Sequence, residues 1–136
     1  MLLLTSHWLD NMKKHTRIRY RLFAIAYLIL ISILFLLPGS SLPKENWFKT
    51  IYLDKWIHVI LFAILIFLWL KAFPGYSSRL YILLLVSAIL YGILIELSQE
   101  LFVRNRSMDV FDILADTAGV IAGAWYMRPG KKNKPL

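Results

Sequence analysis

The sequence contains no cysteine, and it has only eight acidic residues against 16 basic ones. The absence of cysteine excludes disulfides, thiol catalysis and metal sites built on thiolates. The scarcity of acid gives a formal net charge of +8 at pH 7. The basic residues lie at the ends of apolar segments, where they suit anchoring beside anionic lipid. This arrangement argues against nucleic acid as a partner.

Several motifs of other protein classes are also missing. No serine lies in a G-x-S-x-G context, so a serine nucleophile is not predicted. No close spacing of metal ligands occurs, although four side chains could in principle gather around a cation: His58, Glu96, Asp112 and Asp116. We therefore predict neither a metal site nor a cofactor. The initial MLLL run is too short for a signal peptide, and no small-residue cleavage site follows it.

Long apolar runs dominate what is present. Hydrophobic residues make up 59% of the 136-residue chain and the mean hydropathy is +0.61, which is too apolar for an ordinary soluble domain. A helical membrane crossing needs roughly 20 mostly apolar residues. The sequence offers four such runs, at about Tyr20–Leu37, Asp54–Phe73, Arg79–Phe102 and Asp109–Met127. Because four tilted strands cannot close a barrel, we predict an all-α polytopic membrane protein, a four-transmembrane-helix bundle.

These runs predict one membrane domain, 20–127, between a basic N-terminal tail, 1–19, and a basic C-terminal tail, 128–136. With four crossings, both tails and the loop after the second crossing share one side of the membrane. That side holds 11 of the 16 lysines and arginines, and the other side holds five. The positive-inside bias therefore places both termini in the cytoplasm. The polar residues of the second, third and fourth crossings then meet near the outer face.

An acidic stripe opens the fourth crossing. Asp109, Asp112, Asp116, Gly119 and Gly123 recur at steps of three and four residues, so they lie on one face of a helix. Capping uses one acid at a helix start, whereas this helix carries three. The two glycines form a G-x-x-x-G pair, which predicts close packing against another helix.

A carboxylate and an imidazole open the second crossing. Asp54 and His58 lie four residues apart on one helical face, where the acid could orient the ring and raise its basicity. Asp54 could instead cap the helix, and His58 could simply bond a neighbouring helix. Both alternatives stay open at this point.

Glu96 follows sixteen apolar or small residues of the third crossing, about 24 Å along the helix. An ionisable side chain at that depth costs roughly 2.5–3.5 kcal/mol unless it faces a partner or a cavity. Glu96 is therefore a functional candidate, and Gln99 shares its face. The alternative is an ion pair with Lys55 or Arg106 that only joins helices. Gly92, one turn earlier, would let another helix approach closely.

Two arginines, Arg104 and Arg106, lie in the short loop between the third and fourth crossings. Guanidinium groups suit the binding of phosphate or carboxylate. Anchoring to lipid headgroups is the simpler role, and we assign it to Arg104. Arg106 is the preferred candidate for a functional site.

Together these motifs resemble the VanZ-like family of bacterial integral membrane proteins. The family pattern has D-K-x-x-H opening one membrane helix, then E-x-x-Q, a loop arginine and D-x-x-x-[ND]-x-x-G-x-x-x-G. The matching residues, within about Leu53–Trp125, are Asp54, Lys55, His58, Glu96, Gln99, Arg106, Asp112, Asp116, Gly119 and Gly123. The family often has Asn where Asp116 stands. The resemblance implies a polytopic protein of the bacterial cytoplasmic membrane, associated through its founding member with teicoplanin resistance, but no settled reaction.

The leading hypothesis is a polar pocket near the outer face that binds, or acts on, a lipid-linked or cell-envelope anionic group. The candidate catalytic residues are His58, Glu96 and Asp112, and the candidate substrate-binding residues are Asp54, Lys55, Gln99, Arg106 and Asp116. In this scheme Lys55 and Arg106 hold the anion, His58 and Glu96 exchange protons, and Asp54 and Asp112 orient them. The expected partners are membrane lipid and a lipid-linked cell-wall precursor.

The alternative hypothesis is a non-enzymatic scaffold or small transporter subunit whose polar residues only pack helices. Transport is the less favoured of these, because transporters carry ionisable residues near the membrane midplane and the middles of all four crossings are apolar. Enzymatic activity and oligomeric state stay open.

Overall fold

The structure, a computed structural model, describes the backbone of residues 2–38 and 52–128 and the side chains of residues 14–38 and 52–128. Within these ranges the chain forms four helices, α1 (Leu2–Phe35), α2 (Leu53–Ala72), α3 (Ser78–Phe102) and α4 (Val110–Tyr126), and no strand. The all-α prediction is confirmed. Most of the predicted loop after the first crossing (39–51), and the predicted C-terminal tail from residue 129, lie outside the described residues.

The first helix begins at Leu2, well before the predicted start of the first crossing at Tyr20. Residues 2–19 contain no proline or glycine, so the sequence offers no backbone signal to end a helix there. The part of α1 that is apolar enough to cross a membrane is Lys14–Phe35. The segment predicted as a tail is thus helical and continuous with the first crossing.

Three of the described helices are long and apolar enough to cross a membrane, judged by length and composition. They are Lys14–Phe35 within α1, Leu53–Ala72 and Ser78–Phe102. Helix α4 has 17 residues, or about 25 Å of helix, which is at the short end of the range for a crossing. It also buries Asp112 and Asp116 in its first half. Among the described helices α4 is the shortest, it is not one of these three, and it carries two buried acids; the fourth crossing stays a prediction.

The bundle turns apolar side chains outward and several polar ones inward. Phe23, Leu83 and Leu94 are each 60% exposed, whereas Glu96 and Asp116 are at most 1% exposed. In water this arrangement would leave a large apolar surface. In a bilayer the same surface meets acyl chains, and the polar groups find their partners inside the bundle. The distribution is that of a membrane protein.

Helix α2 contacts the other three helices and packs most closely against α4. A methyl group at Gly119 would collide with the backbone carbonyl of Val59, and one at Gly123 would lie 2.5 Å from the carbonyl oxygen of Ala63. Real Cβ atoms do not make contacts this short, so the separation of the two helices requires glycine. The predicted close-packing role of the G-x-x-x-G pair is confirmed.

Tyrosine hydroxyls tie neighbouring helices together across the apolar core. Tyr27 of α1 donates to the carbonyl of Leu61 at 3.1 Å, and Tyr81 of α3 donates to the carbonyl of Ala124 at 3.1 Å. Each bond gives a partly buried hydroxyl a partner. The two bonds also limit how far each helix can rotate about its axis, and so help to fix which residues face the centre.

Candidate functional site

Five polar side chains are buried together where α2 begins, α3 ends and α4 begins. They are His58 (5% exposed), Glu96 (0%), Gln99 (1%), Asp112 (7%) and Asp116 (1%). We call this set the polar cluster. The sequence analysis selects all five, and the fold brings them together across as many as 58 positions of the chain.

His58 is oriented by Asp116 and not by Asp54. Its Nδ1 lies 2.8 Å from Oδ1 of Asp116. Because an ionised carboxylate only accepts, Nδ1 donates this hydrogen bond, and Nε2 of the neutral ring keeps a free lone pair. The ring also packs against Phe35, with ring centroids 4.6 Å apart. The predicted pairing of His58 with Asp54 is wrong, and the acid comes from α4 instead.

Asp54 lies at the edge of the site. Its side chain is 59% exposed, and its Oδ2 lies 3.1 Å from Nζ of Lys55. It does not cap α2 either, because the N-cap residue is Tyr52, which has a left-handed backbone (φ 50°) and no side-chain capping bond. The helix turns Lys55 and His58, three residues apart, toward the centre and leaves Asp54 outside. Asp54 is therefore neither the partner of His58 nor the N-cap, although it lies in the first turn of α2, where a carboxylate meets the positive end of the helix dipole.

Glu96 is fully buried but only half satisfied. Its Oε2 accepts a hydrogen bond from the backbone N–H of Asp109 at 3.0 Å, while its Oε1 is buried without a hydrogen-bond partner. Among the described side chains none forms an ion pair with Glu96. The alternative interpretation, in which Lys55 or Arg106 bridges to Glu96 and only joins helices, is wrong.

Gly92 makes room for the carboxylate of Asp116. A methyl group at Gly92 would lie 2.8 Å from Oδ2 of Asp116 and 3.3 Å from the ring of Phe62. That Oδ2 is itself buried, and no described group forms a hydrogen bond to it. The predicted close approach at Gly92 is confirmed, and a side chain of α4 makes the approach.

Three atoms that can bind a proton or a cation converge in the polar cluster. One ring nitrogen of His58 and one carboxylate oxygen each of Glu96 and Asp112 lie within 4.8 Å of one another. Nε2 of His58 is 3.9 Å from Oδ1 of Asp112. Two carboxylates this close repel each other strongly in surroundings of low dielectric unless a positive charge or a proton lies among them. The arrangement can therefore hold and release a proton, or bind a cation.

Lys55 binds three carboxylates at once. Its Nζ lies 2.5 Å from Asp109 Oδ2, 2.5 Å from Asp112 Oδ1 and 3.1 Å from Asp54 Oδ2. An ammonium group has three N–H donors, so these acids occupy all of them. The hydrogen bond from Lys55 lowers the pKa of Asp109 from its ordinary value. An external anion would have to displace one of these acids, which weighs against the predicted anion-binding role of Lys55.

Asp109 belongs to the site although the predicted site residues do not include it. It is the N-cap of α4, where its Oδ1 accepts from the N–H of Phe111 at 2.8 Å. Its backbone N–H binds Glu96, and its Oδ2 binds Lys55. One residue therefore joins α2, α3 and α4. The signal was present in the acidic stripe, because Asp109 lies one turn before Asp112 on the same face.

Gln99 makes a bond that joins helices. Its Nε2 donates to the backbone carbonyl of Phe35 at 2.9 Å. Phe35 is the last residue of α1, and the carbonyls of a last helical turn have no partner within their own helix. Gln99 thus satisfies a helix end, and this donor is not free for the predicted contact with a substrate.

The two loop arginines differ in burial. Arg104 is exposed, whereas Arg106 is half-buried and its Nε is buried without a hydrogen-bond partner among the described residues. Asn105 lies between them with a left-handed backbone (φ 60°), which turns the loop. Arg106 therefore carries a buried donor that no described group satisfies.

Comparison of the sequence with known protein families gives a match that covers nearly the whole chain. The model of the VanZ/LLP1 family matches residues 2–128. This match extends beyond the motif region at Leu53–Trp125 and includes α1. No curated protein and no solved structure matches the chain. Since the matched region covers nearly the whole sequence and three of its helices can span a bilayer, the chain belongs to the VanZ/LLP1 family and is a VanZ-like membrane protein.

Proposed function

We propose that this protein binds an anionic group of a lipid-linked or cell-envelope molecule at the end of the bundle that holds the polar cluster. The observation that carries the proposal is Arg106, a half-buried residue three positions before Asp109 whose buried Nε has no hydrogen-bond partner among the described residues. Guanidinium groups bind phosphate and carboxylate through paired N–H donors. Arg106 is the main ligand of the anion, and the exposed Arg104 adds attraction at longer range.

An apolar cleft supports a lipid as the carrier of that anion. The cleft has a volume of about 270 Å³ and lies between α1, α2 and α3, with Leu28, Leu65, Trp69 and Leu84 in its walls. Leu65 and Trp69 follow His58 on α2 by seven and eleven residues, which is about 10–17 Å along the helix. A headgroup near the polar cluster and an acyl chain in the cleft could therefore belong to one molecule.

The polar cluster would exchange protons with the bound group. His58 offers Nε2 as a base, because Asp116 holds Nδ1. Glu96 offers a carboxylate in the same space. Acid–base chemistry needs such groups within reach of the reacting atom, with their orientation fixed by neighbours. In this scheme Asp112 positions the pair through its bond to Lys55, and the protein acts on the group that it binds.

The site would face the outer side of a bacterial cytoplasmic membrane, with both termini in the cytoplasm. The distribution of lysine and arginine along the sequence supports this orientation. A role in resistance to teicoplanin extends the association of the VanZ-like family to this chain, and a cell-envelope ligand at the outer face would suit that role.

The test is expression in a susceptible bacterium and measurement of the teicoplanin concentration that stops growth. We expect Arg106→Ala to abolish the rise in resistance and the matched Arg104→Ala to keep most of it. Mass spectrometry of lipid purified with each protein in detergent should show the anionic species lost from the Arg106 variant. Equal losses in both variants, with normal protein levels in the membrane, would contradict the proposal.

A non-enzymatic scaffold is the second candidate, because several bonds at the site already join helices. Gln99 ties α3 to α1, and Lys55 ties α2 to α4. The double variant Glu96→Gln, Asp112→Asn in the same assay separates the two candidates, since it preserves side-chain shape but removes both carboxylates from the proton exchange with His58. Full resistance would favour the scaffold, and loss of resistance with a normal protein level would favour proton exchange.

A further inference from the structure

We propose that the polar cluster binds one divalent transition-metal ion through Nε2 of His58 and the carboxylates of Glu96 and Asp112. These three residues are buried, and their ligand atoms lie within 4.8 Å of one another. Ligands of one ion at bond lengths of about 2.0–2.2 Å lie within roughly 4.4 Å of each other. A small inward rotation of the side chains would therefore complete the site. Metal binding does not depend on the anion binding proposed above, and an ion held by His58 and Glu96 would occupy the groups assigned there to proton exchange.

The carboxylate of Glu96 carries an orphaned oxygen. Its side chain is 0% exposed, its Oε2 is held by the N–H of Asp109, and its Oε1 has no partner. A buried carboxylate oxygen without a partner is costly in an apolar bundle. A cation among the three ligand atoms would satisfy the carboxylate where no described donor does.

The orientation of His58 is that of a metal ligand. A histidine that binds a metal usually donates its other ring N–H to a carboxylate, which fixes the tautomer and the ring. Asp116 accepts that bond at 2.8 Å and is 1% exposed. The free Nε2 lies 3.9 Å from Oδ1 of Asp112, an oxygen that also binds Lys55. This separation is too long for a hydrogen bond and a few tenths of an ångström longer than that of two tetrahedral ligands at bond lengths of about 2.0–2.2 Å.

The charges at the cluster favour a divalent ion. Three carboxylates are buried in the cluster, those of Glu96, Asp112 and Asp116, while Lys55 shares its single positive charge among Asp112, Asp109 and Asp54. With a neutral His58 the cluster therefore keeps a net negative charge, which a divalent cation would offset. An imidazole with carboxylates suits zinc or manganese, whereas calcium and magnesium prefer oxygen ligands alone. Three protein ligands would leave a position open for a further ligand.

The test measures metal on the full chain purified in detergent. The protein is stripped with a chelator and dialysed against buffered zinc or manganese, and bound metal is measured by atomic emission. We expect one ion per chain for at least one of the two metals. Glu96→Gln and His58→Gln should weaken binding by about 100-fold or more, and Asp116→Asn, which only positions the ring, by about tenfold.

Two variants control for adventitious binding. Glu100→Gln changes an exposed acid one turn after Glu96 on the same helix, and His15→Gln removes an exposed histidine of α1. Both should bind metal as the natural chain does. As a second readout, the metal should raise the melting temperature of the natural chain and of Glu100→Gln, but not that of Glu96→Gln.

The proposal is overturned if neither zinc nor manganese binds at one equivalent. It is also overturned if helical Glu96→Gln and His58→Gln proteins bind as tightly as the natural chain, or if His15→Gln abolishes binding. Because the melting temperature of the natural chain is measured with and without metal, the test does not depend on whether any one variant folds.

Discussion

Several residues of this site contact more than one neighbour. They are Lys55, Asp109 and Asp116. Lys55 bonds acids on its own helix, on the loop before α4 and within α4. Asp116 orients His58 with one oxygen and places the other against Gly92. A substitution at any of these residues should therefore disturb two contacts at once, which the following two predictions use.

Asp116→Ala should lower the free energy of unfolding by about 1–3 kcal/mol, because it leaves the buried Nδ1–H of His58 without an acceptor. Asp116→Asn should cost less, since a carboxamide oxygen can accept the same bond in the same space. Thermal unfolding of the purified proteins in detergent measures both. Equal destabilisation by the two variants would mean that the charge of Asp116, and not its acceptor, holds the ring.

Lowering the pH should reduce the stability of the folded protein, because Asp109 becomes protonated. The hydrogen bond from Lys55 lowers the pKa of Asp109 below its ordinary value of 3.8. A lowered pKa gives stability that is present above the pKa of the unfolded chain and is lost as pH falls through the folded-state pKa. The effect should be modest, because the side chain is 40% exposed.

The measurement is the melting temperature between about pH 5 and pH 3. Asp109→Asn keeps a good capping residue at the start of α4. Its melting temperature should therefore fall less with decreasing pH than that of the natural chain. An equally steep fall in melting temperature would show that other groups cause the pH dependence.

The boundaries of three helices follow from the sequence, because charged residues and Pro74-Gly75 limit the apolar runs. The start of α1 does not, since hydropathy marks where a helix enters the bilayer and not where its backbone hydrogen bonds begin. The side-chain pairings within the site also cannot be predicted from the sequence. Spacing places Asp54 and His58 on one face of α2, but the rotation of α4 against α2 decides that Asp116 meets the imidazole.

The spacing between α2 and α4 should tolerate no larger residue at Gly119. Gly119→Ala should lower the free energy of unfolding by about 1–3 kcal/mol or more, the range typical of overpacking. The added methyl group would collide with the Val59 carbonyl, a backbone group that cannot rotate away. Melting temperature and yield from membranes measure the effect. The control is Ala118→Leu on the exposed face of α4, which should change little. A Gly119→Ala protein as stable as the natural chain would contradict the close packing.

For the whole molecule, the absence of cysteine makes the membrane orientation directly testable. Ser78 and Ser107 are both exposed; Ser78 is the first residue of α3, and Ser107 lies in the loop that follows its other end. A membrane-impermeant maleimide applied to intact cells should label Ser107→Cys but not Ser78→Cys, and it should label both after permeabilisation. The reverse result would place the polar cluster at the cytoplasmic face. Labelling of both in intact cells would mean that α3 does not cross.

The bond between Lys55 and Asp112 spans 57 positions of the chain, and this distance bears on how the protein is made. Helix α2 emerges from the ribosome long before α4 exists, so its ammonium and its imidazole enter the bilayer ahead of their acids. Such groups are unfavourable there until they find partners. A nascent chain that stops before α4 therefore lacks the α4 acids that bind Lys55 and His58, and the arrival of α4 supplies them.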